Sequence, residues 1–411
     1  MEPFWLFHKI SIGIFLFVIF IINLSNLISL KGIKEDQNPK KYLRVSICVP
    51  VRDEKDNIEP CLKTLISQEY PNFEIIVLHD DGDSEMEDVL SKLSNKDKKI
   101  KIIKGKPKPD NWIGKHWACH QMAKIADGQL LLFTDADTRH HPNTLKNAVA
   151  AFIKYNADFL SAIPKEEVRS FGEKLIVPIM SWSIHTFYPI GIAQRLKNPR
   201  FSLSVGQYML IKNEVYLKIG GHEAIKQELA DDITLGKRIL AHGFNWRLMD
   251  GSKFITCRMY RNSSEAYEGF SRSLFPGFNY NYAMFIFVWN WLLLIFIEPF
   301  VVIFYHFFIS PLSELWIYFS LYEIGISLLI WSISYIRFRF PFYMIFFYPL
   351  TIILAWIISI KSIYIHKTGK VKWKGRKIMK RKKSIKDTKI EDSLHRTPQE
   401  AKKDLSQLQN L

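Results

Sequence analysis

Cysteine is scarce in this sequence. There are four in 411 residues (Cys48, Cys61, Cys119, Cys257), scattered and without metal-site spacing. A disulfide framework is thereby excluded, and the four read as reduced thiols in a cytosolic domain. No internal repeat is present. Charge is missing altogether from Ile10–Leu30, and acid is missing from Lys361–Lys386, which holds twelve Lys or Arg. No small-residue cleavage signal follows the first apolar block, and its uncharged core exceeds a signal-peptide h-region. The expectation is a retained membrane anchor.

What is present is segregated. The apolar fraction is 48% and the formal net charge +16, but the apolar surplus lies at the two ends. Tyr282–Ile309, Leu315–Ile336 and Pro341–Ile360 are each about 20 residues or longer, the length a helix needs to cross a bilayer. Residues 1–30 therefore read as an anchor, 31–43 as a basic linker and 44–281 as a soluble domain. Residues 282–360 read as membrane segments, and 361–411 as a basic, then polar, partly disordered tail. A basic run abutting an apolar block marks the cytoplasmic, anionic-lipid side of a membrane; this sets aside the rival reading of a nucleic-acid tail. Lys31, Lys34, Lys40, Lys41 and Arg44 place the soluble domain on that side too. Three full crossings after the domain would then strand the basic run outside. One block is expected not to cross, and Tyr282–Ile309, interrupted by Glu298-Pro299, is the candidate.

Strands and helices alternate through the soluble domain. Val45–Val49, Glu74–Leu78, Lys101–Lys104, Leu130–Thr134 and Phe159–Ile163 read as strands. Ile58–Ser67, Lys115–Ala126 and Pro142–Tyr155 read as helices. The pattern implies an α/β fold with a mostly parallel sheet and helices on both faces. In such sheets ligands bind beyond the C-terminal strand ends, where the polar clusters fall.

His79-Asp80-Asp81-Gly82-Asp83 follows one strand. Two carboxylates there suit a nucleobase N–H and ribose hydroxyls, or a solvated Asp-Gly turn. Thr134-Asp135-Ala136-Asp137 follows another, and Asp-x-Asp aims two carboxylates to one side. Hard divalent ions such as Mg²⁺ or Mn²⁺ take oxygen ligands of this kind, shared with substrate phosphates. Ala230-Asp231-Asp232 opens a helical pattern, as a general base or as first-turn acids complementing the helix dipole. Gly114-Lys115 stands at another helix start. It is not a P-loop, lacking that motif's glycine spacing. Lys115 is a candidate contact for a diphosphate, or a surface lysine.

In combination these features resemble glycosyltransferase family 2, the inverting GT-A enzymes. Val45-Ser46-Ile47-Cys48-Val49-Pro50-Val51-Arg52-Asp53-Glu54 looks like that family's opening strand and Pro-x-Arg-Asn-Glu signature, with Asp53 in place of Asn. The resemblance covers about Arg44–Ala283. It implies a GT-A nucleotide-sugar-binding domain flanked by transmembrane helices at both ends. Pro50, Arg52, Glu54, Asp80, Asp81, Lys115, Asp135 and Asp231 would bind the nucleotide sugar, Asp135 and Asp137 the Mg²⁺ or Mn²⁺, and Asp232 would be the catalytic base. Trp112-Ile113-Gly114-Lys115-His116-Trp117-Ala118-Cys119, Gly220-Gly221-His222, Arg258-Met259-Tyr260, Glu268-Gly269-Phe270 and Val371-Lys372-Trp373-Lys374-Gly375-Arg376 look more narrowly like bacterial carotenoid-acid glucosyltransferases and their hopanoid-associated relatives.

That resemblance implies transfer of glucose from a uridine-diphosphate-linked donor to a carotenoid or other terpenoid lipid. The enzyme would be a multi-pass protein of the cell membrane with a cytoplasmic catalytic domain and no nucleic-acid partner. Trp182, His185, Phe187 and Tyr188 are candidates to guide a lipid acceptor, or plain core. Polysaccharide or glycolipid synthesis is the rival within the class. The Gln-x-x-Arg-Trp motif of processive members is missing, with Glu268-Gly269-Phe270-Ser271-Arg272 in its region. A scaffold that merely keeps the fold is the rival outside it.

Overall fold

A computed structural model describes residues 3–35, 37–79, 84–228, 230–278, 280–373 and 376–377. The chain divides into two units. One holds Leu30–Lys165 with Ile192–Arg258; the other holds Met1–Ser29, Glu166–Gly191 and Met259–Met379. Residues 166–191, inside the 44–281 block of the sequence reading, thus group with the apolar helices.

The first unit is built on a seven-stranded sheet: β1 (Val45–Val51), β2 (Phe73–His79), β3 (Ile100–Lys104), β4 (Leu130–Thr134), β5 (Phe159–Ile163), β6 (Tyr208–Lys212) and β7 (Trp246–Asp250). Their spatial order is β3-β2-β1-β4-β6-β5-β7. β1 pairs parallel with β2 and β4, and β2 with β3; β6 runs antiparallel to β4 and β5. The central strands β1, β2 and β4 are almost continuously apolar because both faces are covered. Lys55–Ile66 and Thr144–Lys154 turn amphipathic faces to the core, burying Ile58, Leu62 and Leu65, and Leu145, Val149 and Phe152. Beyond β7 the linker pairs in turn: Gly32 bridges Asp250, and Ile33 N–H donates to Asp250 O at 2.9 Å. That covers an open sheet edge.

The second unit is helical. Among the described residues, four helices are long and apolar enough to cross a membrane: Phe4–Ser29, Tyr282–Phe308, Glu314–Phe338 and Phe342–Lys367. Met284, Phe287, Val301, Phe304 and Phe307 are exposed along the second, as a lipid-facing surface requires. The expectation of a break at Glu298-Pro299 is not met, because Tyr282–Phe308 is one unbroken helix containing Pro299. Glu298 is neutralised rather than expelled. His8 Nε2 lies 2.7 Å and Lys9 Nζ 2.9 Å from its carboxylate, and Lys9, fully buried, also reaches Glu323 at 2.9 Å.

Helix directions follow from contacts in step. Lys9 meets Glu323 and Asn23 meets Ser334 at 3.1 Å, so the first helix is parallel to Glu314–Phe338. Tyr348–Lys367 is antiparallel to Tyr282–Phe308. Tyr348 packs on Phe296, Trp356 donates to Asn290 Oδ1 at 3.2 Å, and His366 bonds Arg272 O at 2.9 Å just before that helix begins. Tyr348 therefore starts level with Phe296 and Phe300, well short of Phe308. Glu314–Phe338 must descend to return from the 309–313 turn, and Tyr348–Lys367 descends beside it. Residues 339–347, including the six-residue stretch Phe342–Phe347, connect the two. Glu314–Phe338 and Tyr348–Lys367 therefore run the same way along the bundle.

Candidate active site

Parallel pairing brings the C-terminal ends of β1, β2 and β4 to one edge of the sheet. Arg52–Glu54 and Asp135–Asp137 follow two of those ends directly. Asp80 and Asp81, with Gly82 and Asp83, follow the third and lie outside the described residues. Pro50 pairs with Leu78 of β2 but sits past Cys48, the last β1 residue paired with β4. One side of the strand is open there, where a missing N–H is tolerated. Asp53 has φ +49. Asp and Asn enter this left-handed region more readily than other side chains, which explains why Asp stands in for the signature's Asn. Glu54 accepts from Asn57 Nδ2 at 2.7 Å at the start of the following helix.

The Asp135–Asp137 turn is pinned through its backbone. Thr138 Oγ1 donates to Asp135 O at 2.7 Å, and Arg258 N–H donates to Asp137 O at 3.2 Å. The side chains are left for other work. Burial, with Asp135 and Glu54 nearby, pushes the Asp137 carboxyl up to about 7, and its Oδ1 is buried without a hydrogen-bond partner. Such an atom fits a divalent cation, which would relieve both the repulsion and the missing bond. No group of three or more His, Cys, Asp or Glu is arranged around a common point among the described residues. Two carboxylates with phosphate and water completing the shell is the pattern expected of Mg²⁺.

Lys115 is no surface lysine. It stands on the first turn of Gly114–Ile125, with Nζ 2.8 Å from Asp135 Oδ1 and 3.6 Å from Asp231 Oδ2. Burial opposes its charge, but the two carboxylates hold it protonated well above the ordinary lysine range. Asp231 and Asp232 open the helix Asp231–Ala241 as first-turn acids; the cap position is Ala230, so neither caps the helix. Asp232 Oδ2 accepts from Gly206 N–H at 3.0 Å and its Oδ1 from Ile233 N–H at 2.7 Å. The pair is driven apart. Burial favours a protonated Asp231, yet Lys115, His116 and His222 outweigh it and push its pKa down. Burial and the charge of Asp231 raise Asp232 to about 7. Neighbouring carboxylates with opposed shifts are a mark of acid–base work.

Gly206, just before β6, lies between Lys115 and Asp232. A Cβ there would lie 3.5 Å from Lys115 Nζ and 3.6 Å from Asp232 Oδ2. Nothing in the sequence marked this glycine, and His116, whose Nε2 lies 3.9 Å from Asp231, was quoted in a motif but given no role. Other singled-out motifs serve packing. A Cβ on Gly221 would strike the Tyr216 ring at 2.4 Å, and His222 Nδ1 pairs with Tyr216 OH at 2.8 Å. A Cβ on Gly269 would fall 2.2 Å from Tyr260 OH, which explains Tyr260 and Gly269 together. Trp182 and His185 are core in the helical unit: Trp182 stacks on Trp331 at 4.2 Å between ring centroids, and His185 is fully buried. Of the narrower motifs, residues 374 and 375 are not described.

Residues 46–220 match the model of glycosyl transferase family 2. The chain carries a family 2 glycosyltransferase domain. Its mixed α/β sheet is the architecture that the GT-A resemblance implies. The chain is 23% identical over 236 residues to 4,4'-diaponeurosporenoate glycosyltransferase of Staphylococcus haemolyticus (strain JCSC1435), covering 57% of this chain and 61% of that one. It is 24% identical over 213 residues to a probable glycosyltransferase, YdaM, of Bacillus subtilis (strain 168), covering 51% and 50%. The chain thus spans about half to three fifths of the length of these curated relatives. A mannosyltransferase of Pyrobaculum calidifontis, solved with GDP-Man and Mn²⁺, superposes with a TM-score of 0.47 at 14% identity, over 85% of this chain and 98% of that one.

Proposed function

We propose that this chain transfers a sugar, with glucose the first candidate, from a uridine-diphosphate-linked donor to a terpenoid lipid acceptor with inversion of configuration. The observation that carries this reading is the convergence of Asp135 and Asp231 on Lys115, which with Asp232 flanks Gly206. Arg52 and Glu54 flank the donor side, as Asp80 and Asp81 are expected to do. Asp135 and Asp137 would hold Mg²⁺ or Mn²⁺, which when bound supplies Lewis-acid neutralisation of a leaving diphosphate. Lys115 adds a fixed positive charge beside it. Asp232 takes the proton of the acceptor hydroxyl. That oxygen bonds to the anomeric carbon, and the bond to the phosphate oxygen breaks with its electron pair leaving on the nucleoside diphosphate. Asp231 keeps its negative charge and so holds Asp232 basic.

The acceptor class is narrowed by Asp232. A carboxylate acceptor is ionised at neutral pH and needs no base, whereas a hydroxyl needs one that titrates near the working pH. The raised Asp232 therefore favours a hydroxyl-bearing lipid over the acid in the name of the Staphylococcus relative.

The membrane reading is that the first helix, Tyr282–Phe308 and Glu314–Phe338 cross and that 342–367 is re-entrant. The basic run from Lys361, the basic linker and both chain connections of the catalytic domain then share the cytoplasmic face, with no charge conflict. Two experiments test the proposal. The first is lipid mass spectrometry of cells with and without the gene; it should show a hexosyl-terpenoid that disappears, and identical profiles would refute the acceptor class. The second is cysteine labelling. All four native cysteines are buried, so added ones read cleanly. Ser310→Cys should label only from outside and Lys370→Cys only from inside; Lys370→Cys labelling from outside would show that the last block crosses.

A further inference from the structure

Lys115 satisfies two carboxylates that belong to different motifs. Its Nζ is held by Asp135 Oδ1 at 2.8 Å, while Asp231 Oδ2 waits 3.6 Å away, buried and without a hydrogen bond. Across the turn, Asp137 Oδ1 is equally buried and unsatisfied. The acidic turn thus presents one carboxylate already neutralised by the protein's own cation and one left open. A divalent ion bridging Asp135 and Asp137 meets an ammonium within hydrogen-bonding distance of one of its ligands, and like charges that close repel strongly in a partly dry site. The lysine has somewhere to go. Asp231 Oδ2, 3.6 Å away, accepts it with a small swing of the side chain.

We propose that Lys115 is a positioning residue that exchanges partners, holding Asp135 in the unloaded enzyme and moving to Asp231 and the donor's diphosphate when a divalent ion engages Asp135 and Asp137. This rests on the metal reading above and deepens it. Its consequence is thermodynamic. The ion binds weakly alone, because it must displace Lys115, and strongly with the nucleotide, because the diphosphate gives Lys115 a new partner. The two ligands are therefore positively coupled, and by linkage each strengthens the other by the same factor. The swing also carries donor occupancy to Asp231, the neighbour that sets the basicity of Asp232.

The test is calorimetric titration of the full chain in detergent with MnCl₂ alone, and with UDP in saturating Mn²⁺. Lys115→Met should bind Mn²⁺ alone more tightly, by roughly tenfold, and UDP more weakly by a similar factor, the scale of a charge-assisted contact. Lys115→Arg, which keeps the charge, should stay near wild type on both. A purely structural lysine would weaken both ligands together. Mn²⁺ binding by Lys115→Met that is weaker than or equal to wild type overturns the exchange. Should Lys115→Met melt early, Lys115→Gln is titrated with thermal melting as the check of folding. Asp137→Asn separates the two levels of failure. If it binds Mn²⁺ as wild type does, or if wild type binds none even with saturating UDP, the metal assignment falls and the exchange with it. If Asp137→Asn alone loses the ion while Lys115→Met fails to gain affinity, only the exchange is refuted.

Discussion

Asp232 ties the site to pH in a way that can be calculated. Burial and the charge of Asp231 raise its carboxyl from the usual aspartate range to about 7. If it is the base, only its ionised form is active. That form is about 9% of the enzyme at pH 6 and about 91% at pH 8, so kcat/KM should rise about tenfold between them, steeply below pH 7 and levelling above it. An aspartate with an ordinary pKa would leave the profile flat there. The measurement is initial-rate transfer to a hydroxyl-bearing lipid acceptor at saturating Mn²⁺, so that titration of Asp137 does not intrude. Asp231→Asn removes the repelling charge and should move the midpoint to lower pH. Asp232→Asn should lose about 10²–10⁴-fold in rate. The same shift has a stability consequence of definite sign. A carboxyl with a raised folded-state pKa favours the folded state fully below its unfolded pKa and loses that contribution as pH rises towards about 7. Replacing Asp232 by Asn should therefore raise stability at pH 8, by at most about 4 kcal/mol, and change it little at pH 4. A profile flat from pH 6 to 8, or one unmoved by Asp231→Asn, would refute the assignment of Asp232 as base.

Other expectations follow from single contacts. Asp137→Asn should abolish transfer without lowering the melting temperature, and chelator should silence the wild type until Mn²⁺ or Mg²⁺ returns; full activity in excess chelator would refute the metal assignment. Gly269→Ala drives a methyl into Tyr260 and should cost about 1–3 kcal/mol by overpacking, read as a lowered melting temperature, with Tyr260→Phe in the same chain recovering part of it. Lys9→Met leaves Glu298 and Glu323 without their cation and should cost about 3–5 kcal/mol. Adding Glu298→Gln and Glu323→Gln should restore folded yield, and failure of that rescue would show that Lys9 matters through its shape rather than its charge.

The parts of the fold visible in the sequence were those with a one-dimensional signature. β1, β2, β4 and β5 are short β-branched or leucine-rich runs that both faces of a covered sheet demand, and they appear within two residues of expectation. Tyr208–Lys212 and Trp246–Asp250 went unread because each mixes long polar and apolar side chains in five residues. Without β6 the antiparallel reversal in mid-sheet was invisible. In the site, Asp135, Asp137, Asp231 and Asp232 were legible because their chemistry lies in adjacent letters. The double contact of Lys115 was not, because it joins positions far apart in the chain. The break expected at Glu298-Pro299 was misread for a related reason. Glu298-Pro299 looks disruptive until His8 and Lys9, some 290 residues away, are brought beside the glutamate.

That ion cluster sets an order of events during synthesis. Lys9 leaves the ribosome 314 residues ahead of Glu323, an interval of about 16–60 s at ordinary elongation rates. Were the first helix to enter a bilayer in that interval, its ammonium would be unmatched, at a cost of about 2.5–3.5 kcal/mol if held at mid-depth. Lys9 lies only two turns from the helix start, so it can wait with its amine at the headgroups. Glu298 and Glu323, made last, supply the counter-charges that let it be buried.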